Sequence, residues 1–80
     1  MEEIEKKIIE LIEEIQPYEE FDKETNLLEG GILDSVALFL LVQEIEETYN
    51  IVIDLDEIAK ENFENVMNIV NFVKDKVDNK

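Results

Sequence analysis

Apolar side chains recur at the spacing of an α-helix in three segments of the sequence, and this periodicity limits the fold more than any other feature. The segments are residues 2–16, a stretch that begins at Asp34 or Ser35, and a stretch that Asn65 caps. Each segment has one apolar stripe, which cannot be buried unless the helices share a core. The three stripes are Ile4, Ile8, Leu11, Ile12 and Ile15; Leu38, Leu41, Val42, Ile45 and Tyr49; and Val66, Ile69, Val70, Val73 and Val77.

The residues between these segments indicate where each helix begins and ends. Pro17 disfavours helical geometry at the residue before it, so the first helix should stop there. Residues 17–33 have no sustained period and predict a long loop, with a permissive backbone at Gly30 and Gly31. The second helix has good N-cap residues at its start, and Asn50 is typical of a left-handed C-cap at its end.

The chain between the second and the last of these helices predicts one more, shorter helix. Residues 51–53 are β-branched but have no partner strand elsewhere, so we interpret them as an extended loop. Residues 54–61 favour a short helix with Leu55 and Ile58, and secondarily Ala59, facing inward, and Phe63 can close the end of the core. The sequence therefore predicts an all-α four-helix bundle with a long loop between helices 1 and 2 and a short helix 3, in a single domain of residues 1–80.

Two residue types that enzymes commonly use are missing from the composition. The sequence has no histidine, the commonest general base and metal ligand, and no cysteine for a disulfide or a thiolate metal site. We therefore expect a protein that is not an enzyme. No metal site is predicted either. Asp54 and Asp56 resemble the start of a calcium-binding loop, but the position that requires glycine in such a loop is Ala59.

The charge of the chain is strongly acidic and unevenly distributed. The net charge is −15, and residues 24–59 contain nine carboxylates but no lysine or arginine. Such a surface repels nucleic acid and anionic lipid, and it attracts proteins that have basic patches. A segment with only negative charges indicates a docking surface, but the same charges also keep a protein soluble. The sequence leaves both interpretations open.

Nothing in the sequence predicts a membrane or secreted location. The start of the chain lacks the basic flank and the apolar stretch of a signal peptide. The longest apolar run, residues 36–42, is much shorter than the roughly 20 residues that span a bilayer. We therefore expect a cytoplasmic, monomeric protein that neither inserts into membranes nor binds nucleic acid.

One stretch carries a side chain that is suited to modification. From Gly31 to Val36 the sequence places a serine hydroxyl at a helix start, after a glycine turn and an aspartate. On the residues alone, Asp34 or Ser35 does no more than cap the second helix, a role that stabilises a protein by about 1 kcal/mol. The wider sequence context is needed to choose between a cap and a site.

The chain resembles the acyl carrier protein family, including its peptidyl and D-alanyl carriers, over essentially its whole length. The attachment motif of that family is Gly-x-Asp-Ser-Leu or a near variant. Here residues 31–36 read Gly-Ile-Leu-Asp-Ser-Val, with valine in place of leucine and one residue more between glycine and aspartate. Residues 46–51 resemble the end of the family's second helix, and residues 62–66 resemble the entry into its last helix.

The resemblance implies a bundle of the acyl carrier type whose Ser35 carries 4′-phosphopantetheine, a covalent arm that comes from coenzyme A. The thiol of the arm then holds an acyl or aminoacyl group as a thioester. The implied partners are a phosphopantetheinyl transferase that reads Asp34 in the motif, an acyl- or aminoacyl-loading ligase or adenylation enzyme, and acceptor enzymes with basic docking patches.

The second helix is the expected partner surface. Its first two turns are apolar all round, whereas its last two turns are acidic. We predict that partner enzymes contact the side away from the core stripe, unless loops cover the apolar residues there. The predicted contact residues are Val36, Ala37, Leu40, Gln43, Glu44 and Glu47.

The turn that follows Ser35 bears on the cargo. Fatty-acid carriers of this family typically place acidic residues right after the serine, but here no carboxylate precedes Glu44. This departure favours an aminoacyl or other short acyl cargo. A fatty-acid biosynthesis carrier is one alternative, and an unmodified acidic helical interaction module is an alternative of another class. With a short cargo, the core can pack without an acyl tunnel through Phe39, Leu41, Ile45, Phe63 and Val70.

Overall fold

Four α-helices and one 3₁₀ turn form the fold in the computed structural model, which describes residues 2–80. In chain order they are α1 (Glu2–Ile15), α2 (Ser35–Tyr49), the 3₁₀ turn (Leu55–Glu57), α3 (Lys60–Phe63) and α4 (Val66–Asp78). No strand is present in this described part of the chain. The predicted all-α bundle with a long first connection is therefore confirmed, and residues 51–53 are an extended loop as expected.

The core is built from the predicted apolar stripes. α1 packs against both α2 and α4, and the buried side chains of these three helices belong to one cluster. Phe63, at the end of α3, is fully buried, and its ring centroid lies 5.6 Å from that of Phe72 on α4. The stripe members that are only partly buried are Ile4, Ile15, Leu38, Tyr49 and Val77. The buried members on α1, α2 and α4 are Ile8, Leu11, Ile12, Ala37, Leu41, Val42, Ile45, Val66, Ile69, Val70 and Val73.

The side of α2 that enters the core differs from the prediction at two residues. Ala37 is only 4% exposed, although we expected it on the partner surface, and Phe39 is 50% exposed, although we expected it in the core. Ala37, Leu41 and Ile45 follow one another at four-residue steps and set the buried side. Each helical residue turns by about 100°, so Phe39 lies roughly 200° around the helix from Ala37.

The predicted third helix is divided into two short pieces. Leu55 begins a single 3₁₀ turn and is 75% exposed, so the prediction that it faces inward is wrong. The Glu57 carboxylate accepts the Asp54 N–H at 2.9 Å and pairs with Lys76 Nζ at 2.9 Å. These two contacts, the Asp54 N–H first, lower the pKa of Glu57. In a continuous α-helix the Glu57 carbonyl would accept the N–H four residues later. Here that carbonyl instead accepts the side-chain amide of Asn62, at 2.9 Å.

The connection between α1 and α2 is tied to the rest of the bundle. The Leu27 N–H donates to the Glu64 carbonyl at 2.7 Å, and the Leu33 N–H donates to the Leu27 carbonyl at 2.9 Å. The side chains of Leu27, Ile32 and Leu33 are buried in the core. The chain that enters α2 is therefore anchored by buried side chains and by backbone hydrogen bonds.

Candidate functional site

α2 begins at Ser35 because Asp34 caps it. Asp34 has extended backbone angles, φ −81° and ψ −177°, and its Oδ1 accepts the Ala37 N–H at 2.8 Å. The Ser35 side chain is exposed at the first helical position. Within residues 2–80, no hydrogen bond of the Ser35 hydroxyl is found. The sequence left open which of the two residues caps the helix; the structure gives the cap to Asp34 and leaves the Ser35 hydroxyl free.

The backbone that leads to Ser35 requires both glycines. Gly31 has a positive φ of 78°, a conformation that residues with a Cβ rarely adopt. A Cβ on Gly30 would lie 2.7 Å from the Asn26 carbonyl oxygen, which is too close for any real contact. The two residues between Gly31 and Asp34 are buried, whereas Ser35 is exposed. The turn therefore brings Ser35 to the surface directly after a buried anchor.

The first turn of α2 offers hydrogen-bond donors to an anion on Ser35. The first N–H groups of a helix have no partner inside it, and the Asp34 carboxylate uses only that of Ala37. The N–H groups of Ser35 and Val36 lie at the positive end of the helix dipole, which favours an exposed phosphate by roughly 0.3–1 kcal/mol. The charge of Asp34 opposes this attraction, and residues 24–59 contain no lysine or arginine. A phosphodiester on Ser35 therefore fits the site through backbone donors rather than through side-chain cations.

Three neighbouring apolar side chains are exposed beside Ser35. Val36 is 69% exposed, Phe39 50% and Leu40 46%, and the helical period places all three on one face. Loops therefore leave these residues accessible, and Ala37, which is buried, does not belong with them. We name the exposed residues of this side of α2 the outer face. Its members are Val36, Phe39, Leu40, Gln43, Glu44 and Glu47.

A cleft of about 590 Å³ lies at the other end of α2. Its walls include Ile51, Val52 and Phe72, together with Lys76 and Lys80. α2 has 15 residues, which corresponds to roughly 22 Å of helix between Ser35 and this cleft. The cleft is therefore not part of the Ser35 site.

The described residues contain neither a metal-binding cluster nor a membrane-spanning helix. No group of acidic side chains between residues 2 and 80 is arranged to hold a metal ion. No helix in the same part of the chain is long and apolar enough to cross a membrane.

Comparison with known proteins identifies the family. A family model described as a phosphopantetheine attachment site matches residues 6–73. The chain belongs to the phosphopantetheine carrier protein family. The prosthetic group of this carrier is 4′-phosphopantetheine, and the matched region contains Asp34, Ser35 and the whole of α2.

The carrier also has named relatives. Two D-alanyl carrier proteins from Lactococcus lactis subsp. cremoris, strains MG1363 and SK11, are each 32% identical to it over 74 residues. The similarity covers 90% of this chain and 94% of each relative. No solved structure matches the carrier significantly.

The division of roles between Asp34 and Ser35 gives a stability prediction. Asp34→Ala should lower the free energy of unfolding by about 1 kcal/mol, because the Ala37 N–H loses its acceptor. Ser35→Ala should change it by less than about 0.5 kcal/mol, since the hydroxyl holds no hydrogen bond in the described structure. Urea denaturation followed by circular dichroism measures both, with Asp34→Asn as the control that keeps an acceptor. Equal destabilisation by Ser35→Ala and Asp34→Ala would show that the serine shares the capping role and contradict this division.

Proposed function

We propose that Ser35 carries the phosphopantetheine arm, and that this carrier delivers an aminoacyl or other short acyl group between partner enzymes without catalysing a reaction itself. The observation that carries the proposal is the exposed Ser35 hydroxyl, which starts α2 while Asp34 provides the cap. Ser35 is also the only serine in the sequence. A serine-linked arm therefore has a single candidate residue in this chain.

The chain has no cysteine, so the thiol for a thioester has to come with the arm, which supplies it when bound. The residues of the carrier have other tasks. The first-turn N–H groups of α2 hold the phosphate end, and the helix presents the modified residue to partner enzymes. With no histidine in the sequence, acid–base chemistry at neutral pH is left to those enzymes.

The cargo proposal is supported by α2 and by the relatives. No carboxylate follows Ser35 until Glu44, unlike the pattern of fatty-acid carriers. Relatives at 32% identity are D-alanyl carrier proteins, which favours an amino acid as the cargo here. A short polar cargo gains little from entering the core, because burial stabilises by only about 0.8 kcal/mol per methylene. A fatty-acid biosynthesis carrier is the first alternative.

The outer face of α2 is the proposed docking surface for the transferase, for the loading ligase or adenylation enzyme and for the acceptor enzymes. Its apolar members lie next to Ser35, and Glu44 and Glu47 follow nearer the end of the helix. This order complements a partner that has an apolar pocket near its active site and a basic patch beyond it. An unmodified interaction module would use the same face. Attachment of the arm is therefore the observation that distinguishes a carrier from such a module.

Incubation with coenzyme A and a broad-specificity phosphopantetheinyl transferase tests the attachment. We expect the intact mass to rise by one phosphopantetheinyl group, which peptide mapping should place on Ser35. Ser35→Ala should stay unmodified, whereas Thr48→Ala, which removes a different hydroxyl of α2, should be modified like the wild type. A folded wild-type protein that is never modified would instead support the unmodified interaction module.

Substitutions on the outer face test docking. Glu44→Lys and Glu47→Lys should lower kcat/KM for arm transfer roughly three- to ten-fold at low ionic strength, and added salt should reduce the difference. Glu13→Lys makes the same charge change on α1 and should have a smaller effect. Phe39→Asp should weaken binding at every salt concentration, whereas Tyr18→Asp, at a loop residue that is 96% exposed, should not. If the outer-face variants and their controls behave alike, docking occurs elsewhere on the carrier.

A further inference from the structure

We propose that Gln16 is a positioning residue for arm attachment, because its side chain holds the backbone three residues before Ser35. The proposal rests on the proposed function of Ser35. Gln16 Nε2 donates to the Ile32 carbonyl oxygen at 2.8 Å. This hydrogen bond joins the end of α1 to the segment that enters α2, across 16 residues of sequence.

Gln16 is itself held firmly at the end of α1. Its N–H donates to the Ile12 carbonyl at 2.8 Å, and its carbonyl accepts the Glu19 N–H at 3.2 Å. Pro17 fixes the backbone φ at the next position. The backbone of Gln16 is therefore fixed, and its side-chain amide can restrain the Ile32 carbonyl to which it donates.

The peptide unit between Ile32 and Leu33 is held from both sides. Its carbonyl accepts from Gln16, and its N–H donates to the Leu27 carbonyl at 2.9 Å. Among the described residues, Gln16 is the one donor found for this carbonyl. Ile32 is only 4% exposed, and a carbonyl in such surroundings is costly to leave without a donor. Without the Gln16 bond, the one hydrogen bond left to this peptide unit would be that from the Leu33 N–H to the Leu27 carbonyl.

Gly31 makes this peptide unit sensitive to the loss. Gly31 comes directly before Ile32, has a φ of 78°, and would have open space around a Cβ. Glycine has more backbone freedom than any other residue, so the chain can rotate there once its restraint is weakened. The side chains of Ile32 and Leu33 also anchor this segment in the core, but the other hydrogen bonds of residues 30–33 join backbone to backbone. A substitution of Gln16 therefore removes one hydrogen bond of the segment and leaves its buried side chains and its backbone hydrogen bonds in place.

In arm transfer the Ser35 oxygen bonds to the phosphorus of the phosphopantetheine group, the pyrophosphate bond of coenzyme A breaks, adenosine 3′,5′-bisphosphate leaves, and the transferase takes up the hydroxyl proton. This step requires the Ser35 hydroxyl to be held in a reactive orientation in the complex with the transferase. A looser segment before Ser35 reduces the fraction of bound molecules in that orientation, which lowers kcat. The outer face of α2 is unchanged by substitution of Gln16, so KM should stay the same. A residue with a purely structural role would lower the melting temperature without changing kcat at a temperature where the protein is folded.

Steady-state kinetics of arm transfer, with coenzyme A and a phosphopantetheinyl transferase, test the proposal. Gln16→Glu has nearly the same shape but puts a carboxylate against the Ile32 carbonyl. We expect kcat to fall roughly three- to ten-fold, the effect of one lost hydrogen bond, with KM unchanged. Gln16→Lys supplies a donor of similar reach and should restore kcat to within about twofold of the wild type. Asn71→Asp adds the same charge as Gln16→Glu at an exposed residue of α4 and should have no effect.

Amide hydrogen exchange at Leu33 gives a second readout that does not depend on activity. Exchange should be faster in Gln16→Glu and close to the wild type in Gln16→Lys. Wild-type kcat and wild-type exchange in Gln16→Glu would overturn the proposal, as would an equal loss of kcat in the glutamate and lysine variants. If the wild type is not modified at Ser35, the proposed function fails, and Leu33 exchange still decides whether Gln16 restrains the segment.

Discussion

The hydrogen bond from the Ala37 N–H to the Asp34 carboxylate, at 2.8 Å, decides where α2 begins. Because the carboxylate provides the cap, Ser35 takes the first helical position with its hydroxyl uncommitted and its N–H directed out of the helix. From that start the helical period turns Ala37 into the core and places Phe39 on the surface. The candidate attachment residue and the outer face are therefore both set by one capped helix start.

The acidity of the chain shapes how such a site can work. The net charge is −15, and all seven lysines lie outside residues 24–59. Within the carrier, a phosphate at the proposed attachment residue, Ser35, would therefore depend on the backbone donors of α2 rather than on a cationic side chain. The proposed docking on the outer face therefore needs the complementary charge to come from partner enzymes, and such docking would be sensitive to salt.

The features that the sequence predicted correctly depend on local spacing. The helical stripes are local, and so are the caps: Asn65 accepts the Asn68 N–H at 2.8 Å, and Asn50 has the left-handed φ of 53°. The start of α2 is apolar on every side, so its periodicity could not select which residues are buried. Gln16 was missed because its partner, Ile32, is 16 residues away, and no spacing rule joins them. Ser35 became a candidate through family resemblance, because an aspartate and a serine at a helix start also fit a simple cap.

Loading of the modified protein tests the central claim most directly. The arm-bearing carrier is incubated with ATP, D-alanine and a D-alanine-activating ligase, in parallel with an octanoyl donor and its acyl ligase, and the mass and melting temperature of each product are measured. We expect an alanyl group held as a thioester on the arm at Ser35, and no marked stabilisation of the fold by an octanoyl group. Failure of aminoacyl loading, together with octanoyl loading that raises the melting temperature and protects the amides of α2 and α4 from exchange, would contradict it.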